Sequence, residues 1–307
     1  MRKFLALLIL FGVPLLAYGV YYWNWYSQEK TIQIGETVRR YRLHIPLKSE
    51  KQRSLVVMLH GYGDNPRLME AYSGMSRLAD DQGFVVVYPY GTKGEVDSGL
   101  SWNADYCCGT ALFNMTNDVE FIRVLKNKIV AEYDIDPNKV YLAGFSNGAL
   151  LTLKIASERP ELFSGYGAMA GAVGGQGPGS DGSKIIKLPE APVKLLMIHG
   201  KDDQSVPYAG GQSKYLGRIP SPISVVSFAE SMDFWLAANM CKGVDSSSIE
   251  GVTRETGKAC NEGGKFEAIS VSGRGHFWLG GLVELAVYGK TKNVNTTDEF
   301  WRFFNEN

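Results

Sequence analysis

Residues 140–154 read Val-Tyr-Leu-Ala-Gly-Phe-Ser-Asn-Gly-Ala-Leu-Leu-Thr-Leu-Lys. An apolar run, Val140 to Ala143, enters the pentapeptide Gly144-Phe145-Ser146-Asn147-Gly148, and a helix-forming stretch follows. In a strand, sharp turn and helix setting, the two glycines let the backbone turn hard enough to lift one serine hydroxyl clear of the sheet. The helix behind it aims its N-terminal N–H groups and positive dipole end at the same spot. A serine held there attacks an acyl carbon while nearby amides hold the oxyanion.

Outward from this stretch the chain repeats a strand-and-helix alternation. Largely apolar runs at residues 55–59, 84–88, 140–143 and 193–198 have the character of buried parallel strands. Residues 266–271 alternate more and are expected nearer an edge, and residues 31–34 and 40–45 predict an antiparallel edge pair. Helical patterns intervene at about 67–80, 118–132, 147–157 and 224–239. The Gly-rich segment 171–182 reads as a loop, because strands resume after it. This order implies an α/β fold of one domain: a mostly parallel central sheet with helices on both faces. Functional residues are then expected at the C-terminal ends of the strands.

A serine nucleophile needs a base, and the base needs an orienting acid; on such a sheet the chain order is serine, carboxylate, histidine. Two of the four histidines follow Ser146. His199 ends a strand as Ile198-His199-Gly200, where a structural role is expected. His276 lies in Gly273-Arg274-Gly275-His276-Phe277-Trp278, a post-strand loop with the freedom to reach Ser146. The acid is expected in Lys201-Asp202-Asp203-Gln204-Ser205-Val206-Pro207-Tyr208. Adjacent aspartates cannot both face one imidazole, and Asp203, deeper in the loop before Val-Pro, is the choice over Asp202. The oxyanion hole is assigned to the backbone N–H groups of Asn147 and of Tyr62, the latter in the loop Leu59-His60-Gly61-Tyr62-Gly63-Asp64. His60 is expected to serve as a structural hydrogen-bonder. Trp102, Trp278 and Tyr62 are the candidates for the substrate pocket.

With these loops identified, residues 31–304 resemble the poly(3-hydroxybutyrate) depolymerase and feruloyl esterase (carbohydrate esterase family 1-like) group of the α/β-hydrolases. The resemblance is carried by Leu59-His60-Gly61-Tyr62-Gly63, Ser101-Trp102-Asn103 with Cys107-Cys108-Gly109, and residues 117–122. It extends through the serine pentapeptide, His199-Gly200 with Asp203 and Val206-Pro207-Tyr208, Gly275-His276-Phe277-Trp278, and the closing residues 297–304. It implies Ser146 as nucleophile, Asp203 as orienting acid and His276 as base. The expected activity is serine carboxylester hydrolysis without cofactor, on polyhydroxyalkanoate, feruloyl, acetyl or small esters. A serine peptidase on the same fold and a silent surface-binding protein are the alternatives. Leu279 stands where the group often has proline, and Asn147 where a small residue is common; both are expected to line the site.

Composition sets the partners. The 32 basic and 32 acidic residues give a net charge of zero, without blocks of like charge. That argues against nucleic acid or an anionic membrane surface as the main partner. No metal-ligand spacing is present in the sequence. Arg2 and Lys3 precede an uncharged stretch, Phe4 to Gln28. It reads as an export signal, either a cleaved peptide or an anchor through residues 4–23 with an aromatic belt at Tyr21 to Tyr26. The catalytic domain is placed at 29–307, outside the cytoplasm in both cases. Cys241 and Cys260 bracket a polar segment that a bridge would close, stabilising the fold by roughly 3 kcal/mol. Adjacent Cys107 and Cys108 leave three states open: a vicinal bridge, free thiols, or pairing elsewhere.

Overall fold

Ten strands form the central sheet of the chain, seen in a computed structural model that describes residues 27–46, 48, 51–94, 99–178, 180–214, 223–289 and 293–306. The strands are β1 (Ser27–Ile34), β2 (Thr37–His44), β3 (Arg53–Leu59), β4 (Val85–Pro89) and β5 (Ile135–Phe145), then β6 (Gly165–Met169), β7 (Lys194–Gly200), β8 (Gly243–Ile249), β9 (Val252–Lys258) and β10 (Lys265–Val271). Their spatial order is β1-β2-β4-β3-β5-β6-β7-β10-β9-β8. From β4 to β10 all neighbours are parallel, and each end of the sheet carries an antiparallel pair. The register is continuous through the centre, Leu55 facing Val140 and Leu59 facing Gly144.

Because side chains alternate along a strand, the apolar runs feed two cores at once. Leu55, Val57 and Leu59 point to one face, with α4 (Asp118–Glu132), α5 (Asn147–Glu158) and α6 (Phe228–Ala238). Val56, Met58, Val86 and Tyr88 point to the other, with α1 (Pro66–Ser73), α2 (Met75–Gln82) and α8 (Thr296–Asn305). Two short helices lie near the strand ends, α3 (Gly109–Phe113) and α7 (Leu282–Tyr288).

Several local signals explain the boundaries. Asn65 caps α1, accepting from the N–H groups of Arg67 and Leu68, with Pro66 in the first turn. Ser227 and Glu230 form a reciprocal capping box on α6. That box starts the helix at Phe228, later than expected, and residues 224–225 instead join a small four-stranded sheet. The same sheet takes Gly174–Gln176, so the segment expected to be loop is partly strand. The helical pattern at 67–80 is two helices, broken where Gly74 adopts φ 67°.

The largest departure is at 243–258. This polar segment is the hairpin β8–β9, turning through Glu250 and Gly251, both at positive φ, as a two-residue hairpin turn requires. Cys241 and Cys260 are bonded at its base. Strand β10 therefore lies inside the sheet rather than near its edge. Cys107 and Cys108 are bonded to each other and buried.

The N-terminal stretch 1–26 lies outside the described residues, and with it the expected anchor at 4–23. Among the described residues no helix is long and apolar enough to cross a membrane. The expected boundary at residue 28 falls within β1, whose first residue, Ser27, is buried and donates to the Glu70 carboxylate.

Candidate active site

Strand β5 ends at Phe145 and α5 begins at Asn147, leaving Ser146 alone in the turn with φ 54° and ψ −122°. That backbone geometry is costly for a residue with a side chain and persists only where the surroundings enforce it. The two glycines of the pentapeptide show how. A Cβ at Gly144 would collide with the Gly148 carbonyl, and one at Gly148 with the carbonyls of Leu59 and His60. The Ser146 N–H donates to Met169 O at 2.9 Å, which fixes the turn to β6.

Three loops converge on this hydroxyl. His276, between β10 and α7, has Nε2 2.9 Å from Ser146 Oγ. Its Nδ1 is 2.7 Å from Asp203 Oδ2, in the turn after β7. The other carboxylate oxygen, Oδ1, accepts the N–H groups of Ser205 at 2.8 Å and Val206 at 2.9 Å. Burial pushes the Asp203 carboxyl up, but the adjoining His276 and His199 imidazoles overcome it and hold the group well below the usual carboxylate range. Asp202 is exposed, and its backbone N–H donates to Arg274 O at 2.9 Å, bracing the histidine loop. Arg274 forms a buried ion pair with Glu284 of α7, whose second oxygen accepts the Gly280 N–H at 2.6 Å.

The loop after β3 passes directly over the serine. A Cβ at Gly61 would lie 3.3 Å from Phe145 Cδ1 and 3.4 Å from Ser146 Cβ, so the loop runs within contact of the serine turn. The next residue is Tyr62, and the Gly63 N–H ties the loop to Leu100 O at 2.9 Å. Asn147 is the first residue of α5, where backbone N–H groups have no partner within the helix.

His60 is fully buried; its Nδ1 donates to Gly61 O at 2.7 Å, and its Nε2 accepts the Gly91 N–H at 3.0 Å. Burial, with the Arg39 charge adding to it and the Gly61 carbonyl opposing, pulls its pKa down to about 4. A neutral imidazole is the form that can both donate and accept here.

The two tryptophans expected at the substrate pocket occupy other positions. Trp102 is 0 % exposed and its indole N–H donates to His60 O at 2.9 Å. Trp278 is 2 % exposed and donates to Thr297 Oγ1 at 2.9 Å. Leu279 is likewise buried in the core, and the Asn147 side chain is turned onto the Trp102 backbone. Each lies behind the wall of the site because a polar handle draws it inward or its apolar surface joins the core. The aromatic ring beside the reacting atoms is Phe145, 4.8 Å from the His276 ring, with Tyr72 at 5.9 Å from Phe145. Both are partly exposed. Phe145 is the variable second residue of the pentapeptide, and its position beside the serine was the available signal. Among the described residues no cluster of three or more metal-ligating side chains is assembled.

Comparison with known proteins bears on this geometry. The family described as Esterase PHB depolymerase matches residues 39–185. A protein provisionally named esterase NocK, from Nocardia uniformis subsp. tsuyamanensis, is 28% identical over 292 residues, covering 88% of this chain and 80% of its own. Feruloyl esterase B of Piromyces equi is 25% identical, covering 74% of this chain and 40% of its own length. The chain thus spans well under two thirds of that longer relative. Among solved structures, an acetyl xylan esterase from Aspergillus awamori superposes with a TM-score of 0.60 at 15% identity, covering 90% of this chain and 98% of that one, which speaks to the fold. The chain is an esterase of the α/β-hydrolase fold, and over residues 39–185 it is similar to the family described as Esterase PHB depolymerase.

Proposed function

We propose that the chain is an exported serine carboxylester hydrolase with Ser146 as nucleophile, His276 as base and Asp203 as orienting acid. The observation that carries this reading is the unbroken relay from Ser146 Oγ through His276 to Asp203, at 2.9 Å and 2.7 Å. His276 takes the serine proton as the hydroxyl attacks the ester carbonyl, and the buried carboxylate stabilises the imidazolium that forms. The tetrahedral oxyanion rests on the N–H groups of Tyr62 and Asn147, each such donor typically lowering the barrier by about 3 kcal/mol. The imidazolium protonates the departing alcohol. Water activated by His276 then releases the acid from the acyl-enzyme, and no cofactor enters.

The substrates proposed are polyhydroxybutyrate-type esters or feruloyl and acetyl esters of polysaccharides, the chemistries named in the relatives. Phe145 and Tyr72 offer an apolar, aromatic wall to the acyl group. Export is supported by the basic and apolar N-terminal sequence and by two disulfides, which persist in oxidising compartments. A fluorophosphonate probe tests the nucleophile: peptide mapping should place the adduct on Ser146. An unlabelled Ser146 in protein that turns over esters would overturn the reading. Hydroxybutyrate oligomers, methyl ferulate, acetylated xylan and peptide anilides then sort the substrate class; cleavage of the anilides alone would mean a peptidase.

A further inference from the structure

A second imidazole borders the Asp203 carboxylate, at the same oxygen that His276 meets. His199 is the penultimate residue of β7 and is 1 % exposed. Its ring stands edge-on to Tyr208 and Phe228, at 5.7 Å and 5.3 Å, and these two rings stack on each other at 5.1 Å, packing against it as one wall. Its Nε2 lies 2.9 Å from Val206 O and 3.3 Å from Asp203 Oδ2. A backbone carbonyl only accepts, so the proton of His199 sits on Nε2. Its Nδ1 is buried and has no partner among the described residues. A proton there would leave a buried cationic N–H unanswered, which the neutral Nε2–H tautomer avoids.

The Asp203 carboxylate is thereby closed on every side. Oδ1 takes two backbone N–H groups, and Oδ2 lies 2.7 Å from His276 Nδ1 and 3.3 Å from His199 Nε2. We propose that His199 is a positioning residue for ester hydrolysis: its Nε2–H, shared between Val206 O and Asp203 Oδ2, fixes the rotamer in which the carboxylate holds His276. The inference rests on the roles of Asp203 and His276 given above. The donation to Val206 also locks the turn that supplies both N–H groups to Oδ1. One proton therefore restrains the carboxylate directly and through its own loop.

Two substitutions and one spectroscopic measurement test this. In His199→Leu, we expect kcat to fall roughly tenfold or more with KM within about twofold, because a misplaced carboxylate weakens the transition state and spares ground-state binding. The acid limb of the kcat/KM profile should move to lower pH, since His276 loses the fixed partner of its imidazolium. His199→Gln keeps a neutral N–H donor of similar reach and should recover most of both effects. A folded His199→Leu enzyme with wild-type kcat and an unmoved acid limb overturns the proposal, and so does a drop in kcat that leaves the acid limb in place. Should His199→Leu not fold, 15N shifts of histidine-labelled wild-type protein decide: a protonated Nε2 and bare Nδ1 at His199 support the proposal, and the reverse tautomer ends it. Fluorophosphonate labelling of Ser146 in the same samples separates the two levels. A labelled serine with an indifferent His199 removes only the positioning role, whereas an unlabelled serine removes the enzyme mechanism beneath it.

Discussion

The Asn147 side chain grips the backbone of Trp102 at both ends, its Oδ1 accepting the N–H at 2.7 Å and its Nδ2 donating to the carbonyl at 3.0 Å. The residue after Ser146 thus fastens a loop 45 positions away, from within the first turn of α5. All four groups are buried. Asn147→Ala should destabilise the fold by about 1–3 kcal/mol for each orphaned backbone group. Asn147→Asp should be no milder, because its second oxygen faces the Trp102 carbonyl. Urea unfolding checks both, and a wild-type midpoint for either would mean that the Trp102 loop is held by other contacts.

Ser146→Ala removes the attacking oxygen and little else. Turnover of p-nitrophenyl esters should fall by at least about a thousandfold, with His276→Ala about as damaging, since such residues act as a unit. Circular dichroism should show an unchanged fold. A folded Ser146→Ala protein with wild-type turnover would remove the proposed nucleophile.

The neighbouring aspartates should separate sharply. Asp203→Asn takes the charge from beside His276 and should lower kcat by about four orders of magnitude. Asp202→Asn alters an exposed side chain whose structural contact is through its backbone, and should stay within roughly tenfold of wild type. The reverse ranking would assign the orienting role to Asp202.

Acid should weaken the fold in two stages. The folded His60 titrates at about 4, below the unfolded value near 6.5, so the unfolded chain binds the extra proton between them. Stability therefore falls as pH drops through that window, by about 3 kcal/mol from this group alone. Asp203 acts in the next window. Its folded pKa is depressed, so its contribution is complete above the ordinary aspartate range near 3.9 and is lost as pH falls through its lower folded value. Urea unfolding between pH 7 and 4 should show the first decline, and His60→Gln should flatten it. An equal slope in that variant would locate the acid sensitivity elsewhere.

Ser27 is part of the folded unit. A chain beginning at Glu29 loses the first two residues of β1, including a buried hydroxyl bonded to the Glu70 carboxylate. It should be less stable than one that retains Ser27, by about 1–3 kcal/mol, the worth of one hydrogen bond to a charged group; Glu70 keeps Ser76 and Arg42 as partners. Equal melting temperatures would show that Glu70 is satisfied without Ser27.

The parts of this protein written in local sequence were readable. The glycines around Ser146 and His276, and the Asp203 turn before Val206-Pro207, announce their backbone geometry within a few residues. The alternation of apolar runs and helical patterns gave the parallel sheet for the same reason. The hairpin β8–β9 was obscured because all of β8 is exposed, which removes the apolar alternation by which a strand is found. Trp102 and Trp278 were misplaced because a tryptophan suits a pocket wall or a core equally well, and the hydrogen bonds to His60 and Thr297 that decide between them come from distant segments. Phe145 carries no local signal of its role, since its ring meets His276 only after 130 intervening positions have folded back.

That exposed hairpin has a further consequence. A ten-stranded sheet must stop somewhere, and an apolar last strand would recruit its counterpart in another molecule. Here the final strand reads Gly243-Val-Asp-Ser-Ser-Ser-Ile, short hydroxyl side chains around an aspartate that pairs with Lys258 across the hairpin. The opposite border opens with Gln28, Glu29 and Lys30. Both margins are thus hydrated fringes, which discourage edge-to-edge pairing between molecules. Replacing Ser246 and Ser248 with valine would leave the reacting groups untouched and turn a terminus of the sheet into a seam between molecules.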